Sequence, residues 1–161
     1  MDAAQQYLSE MDRILTAACT LFPDTASPTV TVLPTVSPVT QQGQGGLVDS
    51  ANERAASYIV YAQRAAAAVE SGDLAAADAA TTASNARITA QGIRDRARSE
   101  AQARDVGSTA PESLQALVSR MDDALARMQT HITTVQDDLS GKVERIRSAA
   151  MDLGANLPDH R

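Results

Sequence analysis

The residues of this 161-residue chain that could do chemistry are few, so their spacing decides what chemistry is open to them. There are two histidines, His131 and His160, and one cysteine, Cys19. A metal site or a Ser/His/Asp arrangement needs groups that converge at fixed intervals. No His-Glu-x-x-His, Glu-x-x-His or paired Cys/His spacing occurs, and His131 has no acidic residue three or four positions away. His160 lies in the tail "LPDHR". Both histidines read as partly exposed polar residues, and no metal or cofactor is expected. Paired carboxylates occur at Asp122-Asp123 and Asp137-Asp138. Neighbours on a helix point about 100° apart, which suits a solvated face better than a shared proton. The cluster "RDRARSE" interleaves Arg94, Arg96 and Arg98 with Asp95 and Glu100, a pattern for surface ion pairs rather than an anion site. The glycines of "QQGQGG" follow no strand and precede no Lys-Ser/Thr, so they form no phosphate loop. Cys19 cannot form an intrachain disulfide, and it reads as a small helix residue rather than a reactive thiol. Nothing here supports catalysis.

Composition points to interaction instead. Aromatic residues make up 2% of the chain while about a fifth is alanine. Ala is the strongest helix former but buries little area, so long, close helix contacts must supply stability. The net charge of −6 and pI of about 4.8 argue against binding a phosphate backbone, and the basic residues are all Arg except Lys142. The longest uncharged run, Thr25 to Val48, contains Pro28, Pro34 and Pro38, so no membrane span is expected. The start "MDAAQQYLSEMDR" has neither the basic region nor the apolar core of a secretory signal. The expected location is cytoplasmic, or exported without a Sec-type signal.

The elements that would position these residues are helices. Ala4, Leu8, Met11, Leu15, Ala18 and Phe22 step by four and three, which predicts a first helix over 2–22. From 23 to 46 the composition turns to Pro, Thr and Gly, the pattern of a linker. The same Thr/Ser/Pro-rich stretch could carry O-glycans or dock to a partner, and "TVTVL" alternates like a strand that could join a partner's sheet edge. A second helix is expected over 47–70, with Val48, Ala51, Ala55, Tyr58, Ala62, Ala65 and Val69 on one seam. Ser71-Gly72-Asp73 fits a C-cap glycine followed by an Asp N-cap, hence a hairpin turn. A third helix over 74–105 carries a small-residue stripe of Ala76, Ala79, Ala83, Ala86, Ala90, Ile93, Ala97 and Ala101. Gly107 then suits a C-cap, Thr109 an N-cap, and Pro111 with Glu112 the first turn of a fourth helix over 110–153.

That last helix has a seam of Leu114, Val118, Met121, Leu125, Met128, Ile132, Val135 and Leu139, continuing through Val143, Ile146, Ala150 and Leu153. The reading is a single all-α domain over 1–161. It is either an up-and-down four-helix bundle or an elongated hairpin with a long coiled-coil-like C-terminal helix. The last helix outruns its neighbours, so Val143, Ile146, Ala150 and Leu153 are the candidate interface, for self-association or a partner helix. A small apolar ligand among Met121, Met128 and Tyr58 is the alternative use of such a core.

Residues 47–153, with the Ser71-Gly72-Asp73 turn and the acidic pI, resemble the Ala-rich helical-hairpin proteins of actinobacterial type VII secretion. The turn lacks that family's Trp. Tyr7, Tyr58 and Tyr61 are followed four positions on by Met11, Ala62 and Ala65 rather than by an acid. The resemblance therefore implies an exported effector or adaptor whose helical partner carries the missing Tyr-x-x-x-Asp/Glu signal.

Overall fold

A computed structural model describes residues 3–23, 37, 42–103 and 111–155. The protein is all-helical, with α1 Ala3–Cys19, α2 Gly46–Gln102 and α3 Pro111–Ala155. The expected linker falls largely outside the described residues, as do the Gly107 and Thr109 caps and His160.

Local chemistry sets the helix ends. After Cys19 the chain tightens: the amides of Thr20, Leu21 and Phe22 donate to the carbonyls three residues back, satisfying groups the helix terminus orphans. Gly45 adopts φ +137°, open to glycine but strained for other residues, and its carbonyl accepts from the Val48 and Asp49 amides to start α2. Pro111 begins α3, where its missing N–H costs nothing, with Glu112 in the first turn.

The expected turn at Ser71-Gly72-Asp73 is not there. α2 runs through it without interruption, so the separate helices expected over 47–70 and 74–105 are one helix of 57 residues, and the protein has three helices rather than four among its described residues. A glycine inside a helix costs about 1 kcal/mol relative to Ala. Here Ala65–Ala68 and Ala75–Ala77 flank it with the strongest helix formers, and neither Gly72 nor its neighbours has a positive φ.

The chain divides into two compact units. One comprises 1–27 with 79–140, the other 28–78 with 141–161. In the first, α1 and the adjoining stretches of α2 and α3 enclose a core. Met11, Leu15, Cys19 and Phe22 come from α1 and its end; Ala86, Ala90 and Ala97 from α2; Leu117, Met121, Ala124, Met128 and Val135 from α3. The size distribution explains the packing. The α2 alanines contribute almost no bulk, so its backbone can lie close while the long side chains of α1 and α3 fill the centre. Leu15 is 2% exposed and Ala90 fully buried.

The α3 seam holds from Met121 to Leu139 but not before it. Leu114 and Val118 are exposed, and Leu117 and Ala124 take the inward positions. Seven-residue steps from Met121 run through Met128, Val135, Lys142 and Ala149, all of them buried, whereas the apolar Val143 and Ala150 stand one position past that line and are exposed.

In the second unit, α2 and α3 run antiparallel: Lys142 meets Asp78, and further along Ala149 lies against Gly72. A Cβ at Gly72 would sit 3.8 Å from the Ala149 Cβ, an ordinary contact. At about 1.5 Å per residue, α2 contributes roughly 50 Å of helix to this unit and the described part of α3 roughly 22 Å. Its buried residues are correspondingly few: Ala75, Lys142 and Ala149.

Candidate functional site

The last turns of α3 are positioned by the antiparallel pairing with α2. Lys142 is 6% exposed, and its Nζ stands 3.0 Å from the Asp78 carboxylate. Its four-carbon stem lies among packed side chains while the ammonium reaches the acid at the edge. With Lys142 and Ala149 turned inward, the candidate interface residues fall to the flanks. Val143 is half exposed, Ala150 is exposed, and Ile146 and Leu153 are partly covered. Met151 is 64% exposed beside them. The steps from Val143 to Ile146, Ala150 and Leu153 place these four along one side of the helix. Such a surface can seat another helix; it holds no nucleophile, acid-base pair or ligand set. On α2 of the same unit, Leu47, Tyr58 and Tyr61 are exposed as well.

His131 and the arginines of the first unit make structural contacts. The His131 ring nitrogen Nε2 donates to the Ala86 carbonyl at 2.8 Å, and the ring lies 5.6 Å from Phe22. His131 therefore ties α3 to α2 and closes over the end of α1. Arg87 assists by donating to the Phe22 carbonyl at 3.0 Å, satisfying an acceptor where the chain leaves α1. Asp122, Asp123, Asp137 and Asp138 are all exposed. Arg94 pairs with Asp95 at 2.8 Å and Arg96 with Glu100 at 3.1 Å, the expected surface ion pairs. Arg98 instead crosses to α1, where Asp12 accepts from its Nη2 at 2.7 Å. Sequence spacing gives no signal for that contact, because the partners lie 86 residues apart. The hydrogen bond to Asp12, with the charge of that carboxylate, raises the Arg98 pKa further.

Cys19 is buried, and burial pushes its thiol pKa up, with Asp95 acting in the same direction and Arg94 and Arg87 against it. Its sulfur stays a thiol, a poor nucleophile. Tyr7 is raised too, by burial first and then by the Asp122 charge. Among the described residues no group of three or more His, Cys, Asp and Glu side chains is placed to hold a metal ion, and no helix is long and apolar enough to cross a membrane.

Two grooves flank the core of this unit. One, of about 310 Å³, is floored by Leu8, Leu15, Ala97, Ala101 and Met121 and bordered by the Arg98–Asp12 pair. The other, of about 550 Å³, runs between α2 and α3 past Thr89, Gly92, Ile93, Arg96, Arg120 and Arg127. No protein-family model, curated protein or solved structure matches the chain.

Proposed function

We propose that this is a non-enzymatic helical protein that works by protein–protein contact, and that it self-associates through the Val143, Ile146, Ala150 and Leu153 stripe of α3. The observation that carries the reading is the exposure of Val143 and Ala150 on that stripe, with Met151 beside them. Val143 is 50% and Met151 64% exposed on a helix whose pairing with α2 turns Lys142 and Ala149 inward. Covering a large apolar side chain stabilises by about 1.5 to 3 kcal/mol, so a second helix laid along the stripe has a driving force that the single chain leaves unused. The four positions, with Met151, give an apolar strip of about three turns, the footprint of one helix lying on another.

Crosslinking tests it. An Ala150→Cys variant in a Cys19→Ala background, treated with a short bis-maleimide at micromolar concentration, is expected to give a covalent dimer. Glu112→Cys in the same background supplies the exposed control. Equal, slow crosslinking of the two variants would count against self-association at α3.

A second reading has one specific observation in its favour, the apolar floor of the groove over Leu8, Leu15 and Met121. There a small apolar molecule would sit against the core of the first unit. Leu8→Arg is expected to abolish binding of a medium-chain alcohol, seen as loss of its thermal stabilisation of the chain. No stabilisation of the unaltered protein would dismiss this reading.

A further inference from the structure

The groove between α2 and α3 in the first unit lies on the side turned away from α1. Arg98 shows where α1 is, since it reaches Asp12. Arg96, two residues earlier and so about 200° round the helix, lines the groove instead. α1 thus covers one side of this antiparallel pair, and no described element covers the opposite side.

Its floor is small and apolar: Gly92, with nothing within 4 Å of where a Cβ would stand, and the buried Ala97 and Ala124, beside Ile93. Small residues let a further helix axis come close. The walls carry charge. Arg96 is paired with Glu100, but Arg120 and Arg127 form no ion pair among the described residues, although Asp123 stands one turn from each. They sit seven residues apart, two turns along the same wall, roughly 10 Å. In a chain of net charge −6, a groove edged by two guanidinium groups with no ion-pair partner among the described residues selects for negative charge at that spacing.

We propose that this groove docks an acidic amphipathic helix of another protein. Its apolar residues would lie on Gly92, Ile93, Ala97 and Ala124, with carboxylates two turns apart meeting Arg120 and Arg127. The partner would complete a fourth side around the core that α1, α2 and α3 already share. This is independent of the α3 stripe in the other unit, and the two fail separately.

The test uses the full chain and a fluorescent peptide of roughly 20 residues, helical, with leucines on one face and glutamates at i and i+7 on its flank. Its counterpart carries lysines in place of those glutamates. The glutamate peptide is expected to bind, more weakly as salt rises, and the lysine peptide is expected not to. Arg120→Glu with Arg127→Glu should weaken the glutamate peptide at least about tenfold and admit the lysine peptide. Both substitutions are on exposed positions, and a circular dichroism spectrum checks that the helices persist. Gly92→Leu is the second variant: it fills the groove from a position with open space around it and should abolish binding with no loss of fold. Val143→Glu should leave peptide binding unchanged. The proposal is overturned if the glutamate peptide does not bind, or if it binds and neither the charge reversals nor Gly92→Leu weakens it.

Discussion

Gly72→Ala is expected to stabilise the protein, and its sign distinguishes a continuous helix from a turn. Gly72 lies within α2, and a Cβ there meets the Ala149 Cβ at 3.8 Å without crowding. Exchanging Gly for Ala in a helix interior gains about 0.8 to 1.0 kcal/mol, and one added carbon–carbon contact contributes about 0.1 to 0.2 kcal/mol more. The expected gain is therefore about 1 kcal/mol, or roughly 2 to 4 °C in Tm for a chain of this size. Were Gly72 the left-handed residue that closes a helix, the same change would cost about 1 to 2 kcal/mol. Urea unfolding followed by the helical circular dichroism signal separates outcomes some 2 kcal/mol apart. Gly72→Pro supplies the opposite arm, since a proline in a helix interior costs about 3 kcal/mol. A lower midpoint for Gly72→Ala, or a tolerated Gly72→Pro, would refute the continuity of α2.

The phase of the core is tested by pairing substitutions on α3. Met121→Ala, at 2% exposure, should lose about 2 to 5 kcal/mol, whereas Val118→Ala, at 42%, should lose less than about 1 kcal/mol in the same urea assay. Lys142→Met should hold or raise the unfolding midpoint, because it keeps the buried apolar stem and removes the ammonium, while Asp78, half exposed, stays hydrated without its partner. The raised pKa of Tyr7 predicts an alkaline effect. Below the unfolded value of 10.0 the phenol is neutral in both states; above it the unfolded chain ionises first, so stability falls as pH rises through the folded pKa. Tyr7→Phe should reduce that alkaline loss, seen in unfolding midpoints taken on either side of pH 10.0. Cys19 should resist a thiol reagent in the folded protein and react freely in urea, and rapid labelling of the folded chain would contradict its burial.

The core of the first unit was legible in the sequence wherever two periodic signals reinforced each other. Met11 and Leu15 on α1 with Phe22 just past its end, the stripe through Ala83, Ala86, Ala90 and Ala97, and Met121, Met128 and Val135 all lie buried where their spacing places them. Leu114 and Val118 are exposed because Leu117 and Ala124 take the inward positions beside them, and a pattern along one helix does not choose between adjacent apolar candidates. Gly72 was misread because cap chemistry is a local signal, here outweighed by alanines on both sides. The burial of Lys142 goes with its ion pair to Asp78, on a different helix, which spacing along α3 does not encode. The contacts of Arg98 with Asp12 and of His131 with Ala86 are likewise tertiary, and periodicity along one helix does not encode them. For the candidate interface, Val143, Ile146, Ala150 and Leu153 were read as one seam. The structure divides them into exposed and partly covered positions, because Lys142 and Ala149 occupy the side that faces α2.

The solution mass of the full chain by light scattering, across a concentration series and beside a Val143→Glu, Ala150→Glu variant, tests the central claim most directly. The account predicts a dimer that dissociates on dilution, and a variant that is monomeric throughout with its helical signal intact. A monomer at every concentration, or a dimer that the two glutamates leave untouched, would contradict assembly through the last turns of α3.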